Sequence, residues 1–374
     1  MKNNLKKKVI LGLSGGVDST TAALLLLKKG FNVTGLYFDI EKNGNINTSK
    51  VLKAKAIAKK LKIDFIYKNL STDFENKVIK DFCQNYLSGK TPNPCVICNP
   101  QIKFKCLEDY ADQIGAPYVS TGHYARIGTT EKFEGEYIRR AANEKKDQSY
   151  MLYRLSQSTI KRTLFPLGEL ESKEKVREIA RNEEFENSEE KDSQEICFLG
   201  KNKTYVDFIK SMGIKEKSGK FCDKKGIVLG NHKGILNYTV GQRKGLGITF
   251  GKPMYVTALD SNKNIVYLGK NEELFKNEIH LSHFFFTISD TNLPPYDLSN
   301  LSLAGKIRYS ALSSPCKIIH ADDSTIKILF ENSQRAATPG QSVVLYYGDL
   351  VIGGGFIKNS FKNEEESYEK NGTQ

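Results

Sequence analysis

Two of the seven cysteines, Cys95 and Cys98, are separated by two residues in the stretch Thr91-Pro92-Asn93-Pro94-Cys95-Val96-Ile97-Cys98-Asn99-Pro100. The three prolines fix φ and restrict the residue before each, so this loop can present a thiol in one orientation. A third cysteine, Cys197, lies far along the chain in Lys191-Asp192-Ser193-Gln194-Glu195-Ile196-Cys197-Phe198-Leu199. Sulfur transfer requires two thiols that can meet, one to carry a sulfane sulfur and one to release it, with one of them held as thiolate. A zinc site would need a second pair or histidines at short spacing, and Cys83 and Cys106 lie at irregular distances from the pair. Cys83, Cys106, Cys222 and Cys316 sit in apolar or mixed stretches and read as small buried hydrophobes.

A second chemistry is written in Ser14-Gly15-Gly16-Val17-Asp18-Ser19. The two glycines let the backbone turn tightly and bring amide N–H groups against an anion, and a helix N-terminus adds partial positive charge. Ser14 and Ser19 supply hydroxyls, and Asp18 can cap the helix or hold a magnesium ion carried by a nucleotide. No Gly-x-x-x-x-Gly-Lys-Ser/Thr string occurs, so this is not a Walker-type loop. The string resembles the pyrophosphatase loop of enzymes that split ATP between the α and β phosphates and transfer AMP to a substrate oxygen. It names the activation chemistry and leaves the target open.

These groups need elements to position them. Residues 8–13 read as a strand, 18–29 as a helix, 32–38 as a strand, 49–61 as a helix, 64–67 as a strand and 118–126 as a later strand with its exit loop. That alternation is the α/β class, a parallel sheet with helices on both faces. Ligands bind beyond the carboxyl ends of such strands, where residues 14–19 and Gly122-His123 fall. After about residue 205 the chain becomes glycine-rich with short β-like runs. From about 273, runs at 303–309, 316–320, 325–330, 343–347 and 351–357, separated by turn residues, predict a small barrel or sandwich. The expected division is 1–205, 206–272 and 273–358, with a disordered tail over 359–374.

Lys plus Arg number 56 against 43 Asp plus Glu, a formal charge of +13 that suits a polyanionic partner. Lys6, Lys7 and Lys8 ahead of residues 9–13 imitate a signal peptide, but the apolar run stops short of the roughly 7–15 residues that an h-region needs. No stretch approaches the roughly 20 apolar residues of a membrane span, so no membrane is expected and a cytoplasmic location is. An odd number of scattered cysteines suits a reducing compartment.

Taken together, residues 12–19, 91–104, Ser120-Thr121-Gly122-His123-Tyr124-Ala125-Arg126, Lys146-Asp147-Gln148-Ser149-Tyr150, the Cys197 segment, Tyr238-Thr239-Val240-Gly241-Gln242-Arg243 and Pro339-Gly340-Gln341 resemble, in the same order, the tRNA-specific 2-thiouridylase family. The likeness spans roughly residues 8 to 357. It implies an adenine-nucleotide hydrolase-like (PP-loop) domain, a small β-rich central domain and a C-terminal β-barrel. It implies ATP and magnesium as cofactors, tRNA as partner, and a relay protein or cysteine desulfurase as sulfur donor. Gly12, Leu13, Ser14, Gly15, Gly16, Val17, Asp18, Ser19, Phe38 and Gly122 match the family's ATP-binding positions. Cys98 matches its nucleophile and Cys197 its persulfide carrier. His123, Lys146, Asp147, Gln148, Arg308, Tyr309 and Gln341 match positions that touch tRNA.

One departure matters. Many family members carry an Asp, proposed as acid or base, where this chain has Cys95, and Gln101 stands where Glu is frequent. Either Cys95 does that work or no group does. The extra thiol opens a second arrangement, in which Cys95, Cys98 and Cys197 hold three irons of a cubane cluster and leave one iron to bind sulfide. Two other classes stay open on the residues alone: an ATP-dependent amidoligase, which gives the paired cysteines no role, and a metal-organised RNA-binding protein with a vestigial loop. The bare residue type would make His123 a structural histidine as readily as a ligand. Arg139-Arg140 reads as a solvated face.

Overall fold

The computed structural model describes residues 7–41, 46–190, 196–199, 203–248, 251–287, 298, 301–322 and 324–359. Of the tail expected over 359–374, Asn359 is described and donates from Nδ2 to Leu259 O at 3.4 Å, and residues 360–374 lie outside the described ones, as do residues 191–195 of the Cys197 segment.

β1 (Lys8–Gly12), α1 (Val17–Lys28), β2 (Asn32–Asp39), α2 (Ser49–Leu61), β3 (Asp64–Asn69) and β4 (Tyr118–Ser120) follow the predicted alternation. β1 pairs in parallel with β2 and β4, β2 with β3, and β4 with the short strand Thr163–Leu164, giving one five-stranded parallel sheet. A β-strand buried on both faces reads as a continuous apolar run. Val9, Ile10 and Leu11 of β1 are accordingly fully buried, each contributing about 1.5–3 kcal/mol. Leu13 continues the register by donating its N–H to Leu36 O at 2.8 Å, which sets the carboxyl edge from which the glycine loop springs.

The central unit is a four-stranded sheet in which Ile265–Gly269 lies between Tyr255–Asp260 and Gly219–Cys222, with Val228–His232 outermost. It is preceded by the helix Tyr205–Ser211, whose Thr204 and Asp207 form a reciprocal capping box.

The last unit is a closed barrel of six strands. Five are the predicted runs, seen as Leu303–Lys306, Ser314–Ala321, Ile326–Arg335, Ser342–Tyr347 and Leu350–Ile357. The sixth, Phe275–Phe286, pairs with both Ile326–Arg335 and Leu350–Ile357 and closes the ring. A hairpin of the first unit, Arg126–Gly128 with Tyr137–Arg139, extends this sheet through Leu350 opposite Arg139. Arg126 and Arg139 both bind the Asp349 carboxylate, at 3.1 and 2.8 Å, and Arg140 lies 4.1 Å over the Tyr346 ring. The solvated-face reading of Arg139-Arg140 is therefore corrected. These cations join two units, and their charge is spent on Asp349 and an aromatic face.

Candidate active site

The glycine loop is shaped by contacts within the protein. Gly15 has φ +84°, and a Cβ there would sit 3.2 Å from Ala54 N, so glycine is required twice over. A Cβ on Gly12 would meet the Phe38 ring at 2.9 Å, and one on Gly122 would meet the backbone of Asp18 and Ser19 at 3.0 Å. Phe38 and Gly122, distant in sequence, thus press against the two ends of the loop. Gly16 is the N-cap of α1. The Ser19 hydroxyl donates to Gly16 O at 3.0 Å and lies 3.1 Å from the Ser14 hydroxyl. Leu13 and Val17 are core residues and can offer a nucleotide only their backbone. Asp18 does not cap the helix. Its Oδ1 accepts from the Tyr124 hydroxyl at 2.6 Å and from Lys173 Nζ at 2.7 Å.

Two residues that the sequence did not flag complete this end. Lys173 begins the helix Lys173–Asn182 and is largely buried against Asp18. Asn187, 2% exposed, donates from Nδ2 to Gly15 O and Thr20 Oγ1, both at 2.9 Å. It pins the glycine loop from below.

The cysteine turn packs on the face of the sheet opposite to α1. Cys95–Cys98 is a single helical turn, and Cys98 is buried with Val96 in the cluster that also holds Ile10 of β1 and Leu36 of β2. The backbone N–H of Cys95 donates to Asn93 Oδ1 at 3.1 Å. The root of the loop is clasped by the barrel. Thr91 N donates to Pro339 O at 2.8 Å, and Gln341 Nε2 donates to Thr91 O at 2.7 Å. Cys197 lies exposed opposite this turn, held by its neighbour Phe198, whose ring meets those of Phe74, Phe82 and Phe208 at 5.6, 5.2 and 5.1 Å.

After Cys98 the helix widens to a π-turn, Asn99–Phe104. A π-turn bonds residues five apart, which brings Lys103 onto the Cys98 face. Burial raises the Cys98 thiol to about 12, with Lys103 opposing and the other two cysteines adding to the rise. Desolvation by the surrounding protein likewise raises Cys95 and Cys197, although Cys197 keeps an exposed surface, and Lys103 again opposes it. Burial alone would lower the Lys103 ammonium, but Cys98, Cys95 and Cys197 raise it on balance. One cation therefore serves three thiols. Such turns are frequent at functional sites, and an α-helical reading of the sequence puts Lys103 on the wrong face.

The tRNA-matching residues divide. His123 hydrogen-bonds Thr121 Oγ1 through Nδ1 at 2.8 Å and stacks on Phe104 at 6.3 Å. Burial, then Lys103, lowers it to about 3, so it is neutral. Tyr309 of the barrel packs against the core cluster that holds Val96 and Cys98, and burial, then Asp147 and Cys95, raise its phenol. Arg308 donates to Arg335 O at 3.2 Å. Lys146 is half-buried in the turn that leads to Asp147. Asp147 is 4% exposed and accepts from Ala141 N, Ser149 N and Ser149 Oγ at 3.1, 3.1 and 2.8 Å, so its carboxylate is structural. Gln148 Oε1 accepts from Tyr124 N at 2.9 Å and steadies the tyrosine that holds Asp18. The four remaining cysteines are buried, as expected.

A raised thiol pKa favours the protonated form, so the fraction of Cys98 present as thiolate should climb through the whole neutral and mildly alkaline range. Alkylation of Cys98, followed by peptide mapping, is expected to accelerate about tenfold per pH unit from pH 7 to 10. Lys103→Met should slow it further at every pH, and Lys103→Arg should keep the wild-type profile. A plateau near pH 8 would contradict this reading of the site.

A glycine loop at the strand ends and a thiol-bearing turn packed on the same sheet define the class, an ATP-using sulfurtransferase on a parallel α/β sheet. Residues 7–201 match the family described as tRNA methyl transferase HUP domain, 206–270 its PRC-barrel domain and 278–357 the aminomethyltransferase beta-barrel domain. The tRNA-specific 2-thiouridylase MnmA of Clostridioides difficile (strain 630) is 45% identical over 95% of this chain and 99% of its own. That of Clostridium acetobutylicum is 44% identical over 95% and 100%. The chain belongs to the tRNA-specific 2-thiouridylase MnmA family.

Proposed function

We propose that the protein converts a tRNA wobble uridine to 2-thiouridine, releasing AMP and pyrophosphate. The observation that carries this is that one sheet bears the glycine loop at its strand ends and, packed on it, the Cys98 turn, whose thiols interact electrostatically with Cys197 and with the Lys103 ammonium, with barrel residues Tyr309 and Gln341 at the thiol end. ATP lies along residues 12–19, between Phe38 and Gly122, and adenylates the 2-carbonyl oxygen, which turns a poor leaving group into AMP. Tyr124 and Lys173 both bind Oδ1 of Asp18, and the Asp18 carboxylate would help to hold a magnesium ion carried by the nucleotide, which would neutralise phosphate charge.

Cys197, exposed, takes sulfur as a persulfide from a relay protein or cysteine desulfurase. The Cys98 thiolate, stabilised by Lys103, attacks Cys197 Sγ, cleaves the persulfide S–S bond and forms the Cys98–Cys197 disulfide. The released hydrosulfide attacks C2 and expels AMP. In the alternative order the terminal persulfide sulfur attacks C2 first, and Cys98 then releases the thiolated base by the same disulfide. His123, neutral and stacked, lines the pocket for the base. Arg308 and Lys146 suit the RNA backbone, and the reaction belongs to the cytoplasm.

The cubane arrangement does not fit. Among the described residues no three His, Cys, Asp or Glu side chains are gathered closely enough to hold a metal, so no step is drawn through a cluster. Among them, too, no helix is long and apolar enough to cross a membrane.

The test is thiolation of an unmodified glutamate tRNA transcript by the purified protein with ATP, magnesium and a sulfide source, read as 2-thiouridine by mass spectrometry. ATP-dependent 2-thiouridine at the wobble position is expected. Conversion of ATP to AMP with no thiolated base would mean that the substrate is wrong.

A further inference from the structure

The reading above ends each cycle with Cys98 and Cys197 joined, and such an enzyme turns over only if that disulfide is opened again. Cys197 must also emerge as a free thiol, because it is the group to be reloaded. The position of Cys95 meets both needs. It shares one helical turn with Cys98, and residues three apart on a helix have Cα atoms about 5 Å apart. That lies within the separation that a disulfide spans, roughly 4.4–6.8 Å.

The two thiols of the turn differ in access. Cys98 is buried, whereas Cys95 is half-exposed. An external thiol therefore reaches Cys95 more readily than Cys98. The Lys103 ammonium interacts electrostatically with all three sulfurs, so whichever becomes thiolate during an exchange is stabilised by the same cation. The turn is also held from outside itself, by Asn93 and by the clasp of Pro339 and Gln341 on Thr91. A disulfide can move along it without unwinding it.

We propose that Cys95 is a resolving thiol that regenerates the enzyme by internal disulfide exchange; the proposal rests on the thiolation reading above. The Cys95 thiolate attacks Cys98 Sγ, the Cys98–Cys197 bond breaks, and Cys197 leaves as thiolate and takes up a proton. The exchange is redox-neutral, and the oxidised pair is now Cys95–Cys98. An external dithiol attacks the accessible Cys95 sulfur, is itself oxidised to a disulfide, and leaves Cys95 and Cys98 as thiols. Cys197 can be reloaded with sulfur while that reduction proceeds.

The experiment uses persulfide-loaded full-length protein, tRNA and ATP, first without reductant and then with a dithiol. After one turnover without reductant, peptide mapping of the wild type is expected to find Cys95 joined to Cys98 and Cys197 free. Cys95→Ser should make one equivalent of 2-thiouridine and stop as the Cys98–Cys197 disulfide. With dithiol it should cycle about tenfold or more slowly than wild type, the least margin by which a thiol held in place outruns a dilute external one. Wild-type protein trapped as Cys98–Cys197 with Cys95 free would overturn the proposal. Undiminished multiple turnover by Cys95→Ser would do the same, as would loss of its first equivalent, since Cys95 would then act before product forms. If the wild type makes no 2-thiouridine at all, it is the thiolation reading that fails.

Discussion

Cys197→Ala protein is expected to make no 2-thiouridine from tRNA, ATP and a persulfide donor while still forming AMP and pyrophosphate. Cys197 is exposed and its segment is fixed by the neighbouring Phe198, whose ring is wedged among Phe74, Phe82 and Phe208. Truncating its side chain removes little packing, and fold and ATP site should survive. Persulfide transfer is lost because Cys98 is buried behind the turn and cannot be charged by a protein donor. Losing a covalent carrier should lower thiolation by about 1,000-fold or more. Mass spectrometry of the digested tRNA and a pyrophosphate assay read the two activities separately. Thiolation within about tenfold of wild type would remove Cys197 from the pathway.

Gly122→Ala gives the second large effect, on the other half of the reaction. The added Cβ would lie 3.0 Å from both the Asp18 carbonyl carbon and Ser19 N. Both are backbone atoms at the start of α1, so no side chain can swing aside. Asp18 is further fixed by Tyr124 and Lys173, and the strain must move the loop that holds the phosphates. The backbone must give by a few tenths of an ångström, and since a displacement near 1 Å at such a site costs about 100-fold in rate, pyrophosphate release should fall about tenfold. Gly16→Ala makes the contrast. A Cβ there would meet only Ser14 Oγ, at an ordinary 3.6 Å. The empty protein should tolerate it with an unchanged melting temperature, and only nucleotide binding should weaken. Equal melting temperatures and equal ATP turnover for Gly122→Ala and wild type would refute the steric argument.

The parallel sheet and its loop were legible because β1, β2 and α1 keep their apolar periods and the glycines mark the turn between them. The long strand Phe275–Phe286 was not. Register shifts at Lys276/Glu278 and Ser282/Phe285, and His283 at φ +49°, break the period-two alternation that betrays a strand. Lys103 is one cation among 56 Lys and Arg, and only the π-turn gives it the Cys98 face. Asp147 and Gln148 show the reverse failure. Their motif was plain, but their side chains serve the backbone around Tyr124 and Ser149, which no spacing of residues could reveal.

The hairpin that the first unit lends to the barrel bears on how the molecule is made. Arg139 meets Leu350 and Asp349 across the sheet, yet the ribosome delivers those partners some 200 residues later, about 10–40 s at ordinary rates of synthesis. Until then the nascent N-terminal unit carries a strand edge and two arginines with no Asp349 to bind. The catalytic half is therefore not a module that matures on release, and its completion waits for almost the last strand of the chain.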